Sequence, residues 1–309
     1  MPRALSTIVL LGLLAATAAA FAITEHLKLI KSPIYGPQVT KRFSPVCGCA
    51  TDKAEISFKL RHSDSVTVTI VDSGGKVVDT LARGTSVQKN TLTTFRWNGH
   101  TTSGVAENGK TYQPQVELTN DHRTILMPNQ ILVDTSPPKV LSASDGTGLL
   151  IVGGRHGVAI RYAFSEKAHA SVYLGGRRIV LGRRIRAKDK IKWNGKLGGK
   201  PIRPGRYVLE VGAVDLAGNE TPPAERRSLV VLVRYIALSE TSIHVAPGAP
   251  FGVQVRAGAQ QYTWRFAGTH GTGKKASLHL RAPARRGHYR LIVTEHGHAA
   301  AALVIVGKK

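Results

Sequence analysis

The sequence predicts an all-β chain, built as small β-sandwiches in tandem behind one N-terminal transmembrane helix. Three observations carry that prediction. Ala4 to Ile23 is a run of 20 residues without a charge. From Ala54 onward apolar residues recur at every second position, as Ile56, Phe58 and Leu60 and then as Val66, Val68 and Ile70. Such alternation sets the apolar side chains on one face of a sheet. Finally, Phe95-Arg96-Trp97-Asn98-Gly99 returns as Ile191-Lys192-Trp193-Asn194-Gly195, the mark of an internal repeat.

The apolar run comes first. At about 1.5 Å rise per residue its helix spans roughly 30 Å, the hydrocarbon thickness of a bilayer. It exceeds the usual apolar core of a signal peptide, about 7–15 residues, so a retained signal-anchor over residues 1–23 is expected. Ala18-Ala19-Ala20 and Ala20-Phe21-Ala22 also fit a cleavage site, which leaves secretion after signal cleavage as the alternative. Arg3 before the run and Lys28 and Lys31 after it slightly favour a cytoplasmic carboxyl side, but long domains translocate largely regardless of such charges. The modules downstream of the run read as extracellular, so the bulk of the chain is expected outside a cell membrane that it crosses once.

Residues 24–50 carry Pro33, Pro37 and Pro45 and are expected to form a juxtamembrane spacer, since proline disrupts both helix and central strand. The chain's two cysteines stand there, as Cys47-Gly48-Cys49. Two cysteines exclude a disulfide-dense scaffold and a single-chain four-cysteine zinc site. An even count in an exported chain favours oxidation. Yet Cα atoms two apart in an extended chain are near or beyond disulfide reach, so an intramolecular bridge requires a tight turn at Gly48. An intermolecular bridge, free thiols and metal ligation stay open beside it.

Length and composition bound the remainder. The 309 residues allow about two domains, or three small ones. An apolar fraction of 42% supports packed cores, which argues against disorder despite a net charge of +24. A first module is expected over 51–138, with strands at Lys76–Leu81, Thr91–Trp97, Thr111–Thr119, Arg123–Met127 and Gln130–Asp134. Asp72-Ser73-Gly74-Gly75 supplies a turn. Pro137-Pro138 closes it. A second module is expected over 145–235, where Ile160, Tyr162 and Phe164 resume the alternation. A third is expected over 237–307, with strands at Phe251–Arg256, Tyr262–Phe266, Ala276–Arg281, Tyr289–Glu295 and Ala301–Val306. Short strands at this spacing are those of immunoglobulin-like sandwiches.

The repeat assigns work to particular residues. Trp97 and Trp193 are expected as core plugs at strand ends. Asn98-Gly99 and Asn194-Gly195 permit the left-handed backbone of a tight reversal. Tyr112 and Tyr207, preceded by Gly109 and Gly205, start the next strand with the ring inside and a hydroxyl able to bond backbone. The third module keeps only Gly287-His288-Tyr289. Trp-Asn-Gly, a polar loop, then Gly-x-Tyr or Gly-x-x-Tyr resembles the Ig-like domain of the bacterial flagellar hook-capping protein, the FlgD type. Val71-Asp72-Ser73-Gly74-Gly75-Lys76-Val77-Val78 is similar to that family's hairpin. The resemblance covers 54–135 well and 157–235 moderately, while 237–307 is only generically like a bacterial Ig-like domain. It implies a structural and assembly module with no catalytic residues.

The charge is uneven. Residues 46–135 hold 9 basic and 9 acidic residues, 145–235 hold 18 and 7, and 236–309 hold 10 and 2. Its densest part is an expected strand with Arg184, Arg186, Lys188, Lys190 and Lys192 at alternate positions, opposite Ile185, Ala187, Ile191 and Trp193. Same-face residues of a strand lie roughly 6.6–7 Å apart, so the five cations form a line. Such a line attracts an anionic envelope polymer or lipid headgroups; the alternative is a merely solvated face that blunts an edge strand. Nucleic acid is disfavoured, since no aromatic platform or recognition helix accompanies it.

Other motifs carry less. Gly268-Thr269-His270-Gly271-Thr272-Gly273-Lys274 nearly spells a phosphate loop, but Lys275 stands where Ser or Thr is needed, and a strand rather than a helix comes next; a hairpin loop is expected. His296 and His298, with His288, are expected as surface histidines rather than metal ligands. Asp215, Asn219 and Glu220 fit an ordinary turn. No metal, cofactor or catalytic constellation is expected. The reading is a non-enzymatic, membrane-anchored surface protein that contacts an anionic envelope component. The alternatives are a scaffold subunit pairing with a protein partner or itself through strand edges, or an envelope hydrolase with an unrecognised site.

Overall fold

The computed structural model describes residues 11–21, 32–153, 157–274 and 276–307. Strand accounts for 61% of the described residues, and the only α-helix among them covers 11–21, which establishes the all-β class. The chain forms two compact units, Met1–Thr135 and Ser136–Lys309. Among the described residues no helix is long and apolar enough to cross a membrane; the apolar run Ala4–Ile23 lies partly outside them.

The first unit is a two-sheet sandwich. One sheet orders Ile34–Val39, Ala54–Leu60 and Thr93–Trp97. The other orders Arg42–Phe43, Ile131–Val133, Thr111–Leu118, Asp64–Val71 and Val77–Val87, with Arg123–Leu126 beside Thr111–Leu118. Ile56, Phe58 and Leu60 face Val66, Val68 and Ile70 across a core in which all six are fully buried, as their period-two spacing requires.

The expected spacer over 24–50 requires correction. Residues 24–31 lie outside the described residues, but residues 34–43 belong to the sandwich. Ile34 pairs with Leu60 and Val39 with Ile56, and Arg42–Phe43 runs parallel to Leu132–Val133. Proline is compatible with these strands because each of the three sits where no ladder N–H is needed. Pro37 falls in the register shift between Tyr35 and Gln38. Phe43 is fully buried, its ring 5.2 Å from that of Trp97.

The second unit holds two cores, one around Trp193 and one around Leu291. Its first sandwich opens with Val140–Asp145, paired to the strand that comes after it, so the expected boundary at 145 moves upstream. Two 17-residue strands, Val158–Leu174 and Arg177–Trp193, form a long hairpin whose turn, Gly175-Gly176, has positive φ at both residues. Val158–Leu174 pairs with Val140–Asp145 through its first half and with Gly205–Val214 through its second. The register jump between Ala163 and Ala168 marks the change of partner. The next sandwich packs Ile236–Leu238, Pro250–Ala257 and Ser277–Arg281 against a five-stranded sheet of Ser242–Val245, His298–Val306, Gly287–Glu295, Tyr262–Phe266 and Thr269–Gly273.

All three sandwiches begin alike. After an antiparallel first strand comes a short strand lying parallel to the last: Arg42–Phe43 on Ile131–Val133, Leu149–Ile151 on Arg227–Arg234, and Ser242–Val245 on His298–Val306. A parallel pair needs a long connection, and here the module itself is that connection. Residues 33–45 are therefore counterparts of 140–151 and 236–245.

Candidate functional site

Arg177–Trp193 pairs only with Val158–Leu174 among the described residues, so its far edge is free. Arg184, Arg186, Lys188, Lys190 and Lys192 are all exposed on it, while Ile191 and Trp193 point into the core. The expected opposite row is core only at its end, since Ile185 and Ala187 are half-exposed. The stretch from Arg177 to Arg206 contains 12 basic residues and one acid, Asp189. Among the described residues only Arg178 and Arg184 of those twelve have a carboxylate within 4.0 Å, Glu220 at 3.7 Å and Asp189 at 3.5 Å. The Lys190 backbone N–H, then the Arg184 guanidinium, hold the Asp189 carboxyl below the ordinary aspartate range. It therefore stays ionised and offsets only part of the positive field.

One cation of this face was not singled out from the sequence. Arg161 lies directly across the hairpin from Lys190 and is exposed. Its neighbours in the same row, Ala159 and Ala163, are short and sit opposite Lys192 and Lys188, so the lysines have no bulky partner beside them. Arg161 occupies the polar phase of the Ile160–Tyr162–Phe164 alternation, and the Gly175-Gly176 turn sets the hairpin that brings it to Lys190.

The two Trp-Asn-Gly corners share one geometry. Both indoles are buried, and each Nε1–H donates to the carbonyl three residues on, Trp97 to His100 at 2.8 Å and Trp193 to Lys196 at 3.3 Å. The Asn98 and Asn194 Oδ1 atoms accept the backbone N–H two residues on. Gly99 and Gly195 have φ of 81° and 75°; a Cβ would meet Pro45 Cβ at 2.7 Å or Leu150 Cδ2 at 2.5 Å, so both positions demand glycine. The tyrosines differ. Tyr207 and Tyr289 donate to the carbonyls of Arg203 and Arg285, four residues back, whereas the Tyr112 hydroxyl accepts from the Glu107 N–H. These groups hold strand ends in place.

Cys47 and Cys49 are joined as a disulfide, with Cα atoms 5.2 Å apart and Gly48 at φ 59°, the turn that the spacing requires. The near phosphate loop is the second strand of a hairpin: Thr269–Gly273 pairs with Tyr262–Phe266 across a turn at Ala267-Gly268. The Trp264 and Tyr262 rings lie over Gly271 and Gly273, where a Cβ would come within 2.8 and 2.4 Å of them. His296-Gly297 is the turn of another hairpin; His298 stacks on Tyr235 at 4.3 Å, while His288 pairs with Ile305 at the far end of the ladder. The three histidines are not brought together. Asp215 Oδ1 accepts the N–H groups of Ala217 and Asn219, and Oδ2 accepts the Asn219 amide, so this turn is held by its own side chain. Glu220 instead receives the Tyr173 hydroxyl and lies near Arg178 and Arg226.

A FlgD Ig-like domain is found at residues 46–122. No curated protein matches the chain in sequence. Solved structures similar to it include the fibronectin(III)-like modules of Clostridium thermocellum CbhA, at 18% identity and TM-score 0.35, covering 65% of this chain and 93% of that one. The Bacteroides ovatus mixed-linkage glucan utilization locus protein SGBP-B, in complex with a mixed-linkage heptasaccharide, gives 12% and 0.30, covering 90% and 68%. A bacterial ice-binding adhesin gives 12% and 0.29, covering 90% and 100%.

Proposed function

We propose that this is a non-enzymatic, membrane-anchored surface protein whose Ig-like modules bind an anionic component of the cell envelope. One observation carries the reading: the exposed line of Arg184, Arg186, Lys188, Lys190 and Lys192 on a free strand edge, with Arg161 beside it. The first sandwich, with nine basic and nine acidic residues over 46–135, acts as a stem. The second sandwich is read as another FlgD-type copy, on the shared Trp-Asn-Gly corner. Export is supported by the Cys47–Cys49 disulfide, a bond of oxidising compartments. Anchoring is supported by the apolar run Ala4–Ile23 and by Leu11, Leu13, Leu14 and Phe21, all exposed on the helix over 11–21.

The free 17-residue edge also favours a second reading, assembly through strand pairing with a protein partner. Two copies pairing there would set like charges side by side, so self-association through this edge is opposed. The two readings separate in a pull-down of the chain against cell-envelope fractions. Anion binding captures material at low salt and releases it at high salt. Capture that is indifferent to salt would favour edge pairing and overturn the first reading.

A further inference from the structure

The basic face does not end at the hairpin. Within the second unit a recess of about 1140 Å³ lies between the second and third sandwiches. Arg161 and Lys190 line it from the second sandwich, and Arg256 and Lys274 from the third. All four are exposed, and no carboxylate lines the recess among the described residues. Lys190 thus belongs both to the line of cations and to the recess.

We propose that this recess is a binding site for a chain of an acidic polysaccharide, whose anionic substituents are held by Arg161, Lys190, Arg256 and Lys274. The proposal rests on reading the basic face as an anion-binding surface and gives that surface a ligand class. The volume exceeds what a single small anion fills and lies just above the usual range for ligand sites, roughly 300–1000 Å³. Two guanidinium groups offer the paired donors that a carboxylate accepts. Thr147, Gln260 and Gln261 add neutral donors and acceptors, suited to hydroxyl groups. Leu149 and Ile151, both half-buried, supply apolar wall for the C–H faces of sugar rings. The only aromatic residue of the lining among the described residues, Tyr262, is buried, so no open platform is offered for stacking nucleic-acid bases. A bilayer meets protruding groups, whereas a recess admits a chain. Such a chain leaving past Lys190 would continue along Lys188, Arg186 and Arg184.

The test uses the detergent-solubilised full chain and fluorescence anisotropy of labelled polygalacturonate, with polyphosphate and neutral dextran as comparison polymers. The parent is expected to bind polygalacturonate more tightly than polyphosphate of equal charge, and to ignore dextran. Arg256→Gln with Lys274→Gln lies outside the line of cations and is expected to weaken polygalacturonate at least ten-fold. Ala276→Trp fills the recess from an exposed position without altering charge; it is expected to weaken polygalacturonate to a similar degree while leaving polyphosphate unchanged. Unchanged polygalacturonate binding by both variants, or a parent that prefers polyphosphate, overturns the recess and leaves the broader anion reading standing. A parent that binds neither polyanion at low salt overturns both.

Discussion

Gly258 lies so close to Val152 that a Cβ at 258 would fall 1.9 Å from the Val152 carbonyl oxygen and 3.2 Å from Glu295 Oε1. Here the second and third sandwiches join within their unit. The Gly258 and Ala259 N–H groups donate to the buried Glu295 carboxylate at 2.9 and 2.6 Å, and Tyr235 stacks on His298. Gly258 has no positive φ, so close approach alone fixes its identity. Gly258→Ala should cost about 1–3 kcal/mol, as overpacking does. Thermal melting should report that loss, with faster proteolysis between residues 234 and 260. A melting curve like the parent's would show that the contact is not tight.

Trp97 and Trp193 plug separate cores. Trp97→Ala and Trp193→Ala should each cost about 3–5 kcal/mol. Calorimetry should show the first substitution lowering the transition of the first unit and the second that of the second unit. One shared transition, lowered equally by both, would contradict independent cores.

Alkaline stability should depend on Tyr173. Its phenol is buried, accepts from Ser171 and donates to Glu220, with Arg226 3.5 Å over the ring. Burial first, then the bond to Glu220, raises its pKa above 10.0, and burial raises Tyr162 and Tyr262 in the same direction. A raised folded-state pKa contributes stability that is fully present below the unfolded value, near 10, and is lost as pH rises through the folded value. Denaturant titrations at about pH 8 and pH 11 should therefore show a fall in stability, smaller in Tyr173→Phe. At neutral pH that variant should lose about 1–2 kcal/mol through its unpaired partners.

Thiol titration of the unfolded protein should find no reactive thiol before reduction and two after it. The ring closed by Cys47 and Cys49 is tiny, so its removal should cost on the order of 1–2 kcal/mol. Two thiols without reductant would contradict the bridge.

Much of the fold was legible because it depends on local period. Ile56, Phe58 and Leu60, or Tyr262 and Phe266, declare a buried face within a few residues. The opening strands were not legible. Pro33, Pro37 and Pro45 mask Ile34–Val39, and Phe43 is recognisable as core only once Trp97 is beside it. The line of cations could be read directly, since alternation exposes it. The recess could not. Arg161 and Lys190 meet across a hairpin broken by bulges, and Arg256 and Lys274 arrive from another sandwich. No spacing within one stretch of sequence records that convergence.

The most direct test of the central claim is the affinity of the full chain for an acidic polymer as a function of salt, compared with a variant carrying Ser in place of Arg184, Arg186, Lys188, Lys190 and Lys192. If these cations hold an anionic envelope component, parent affinity should fall roughly 100-fold or more between about 50 and 200 mM salt through counterion release. The variant should bind at least about ten-fold more weakly and with a shallower salt dependence, since Arg161, Arg256 and Lys274 remain. Equal affinity and equal salt dependence in the two proteins would contradict the account.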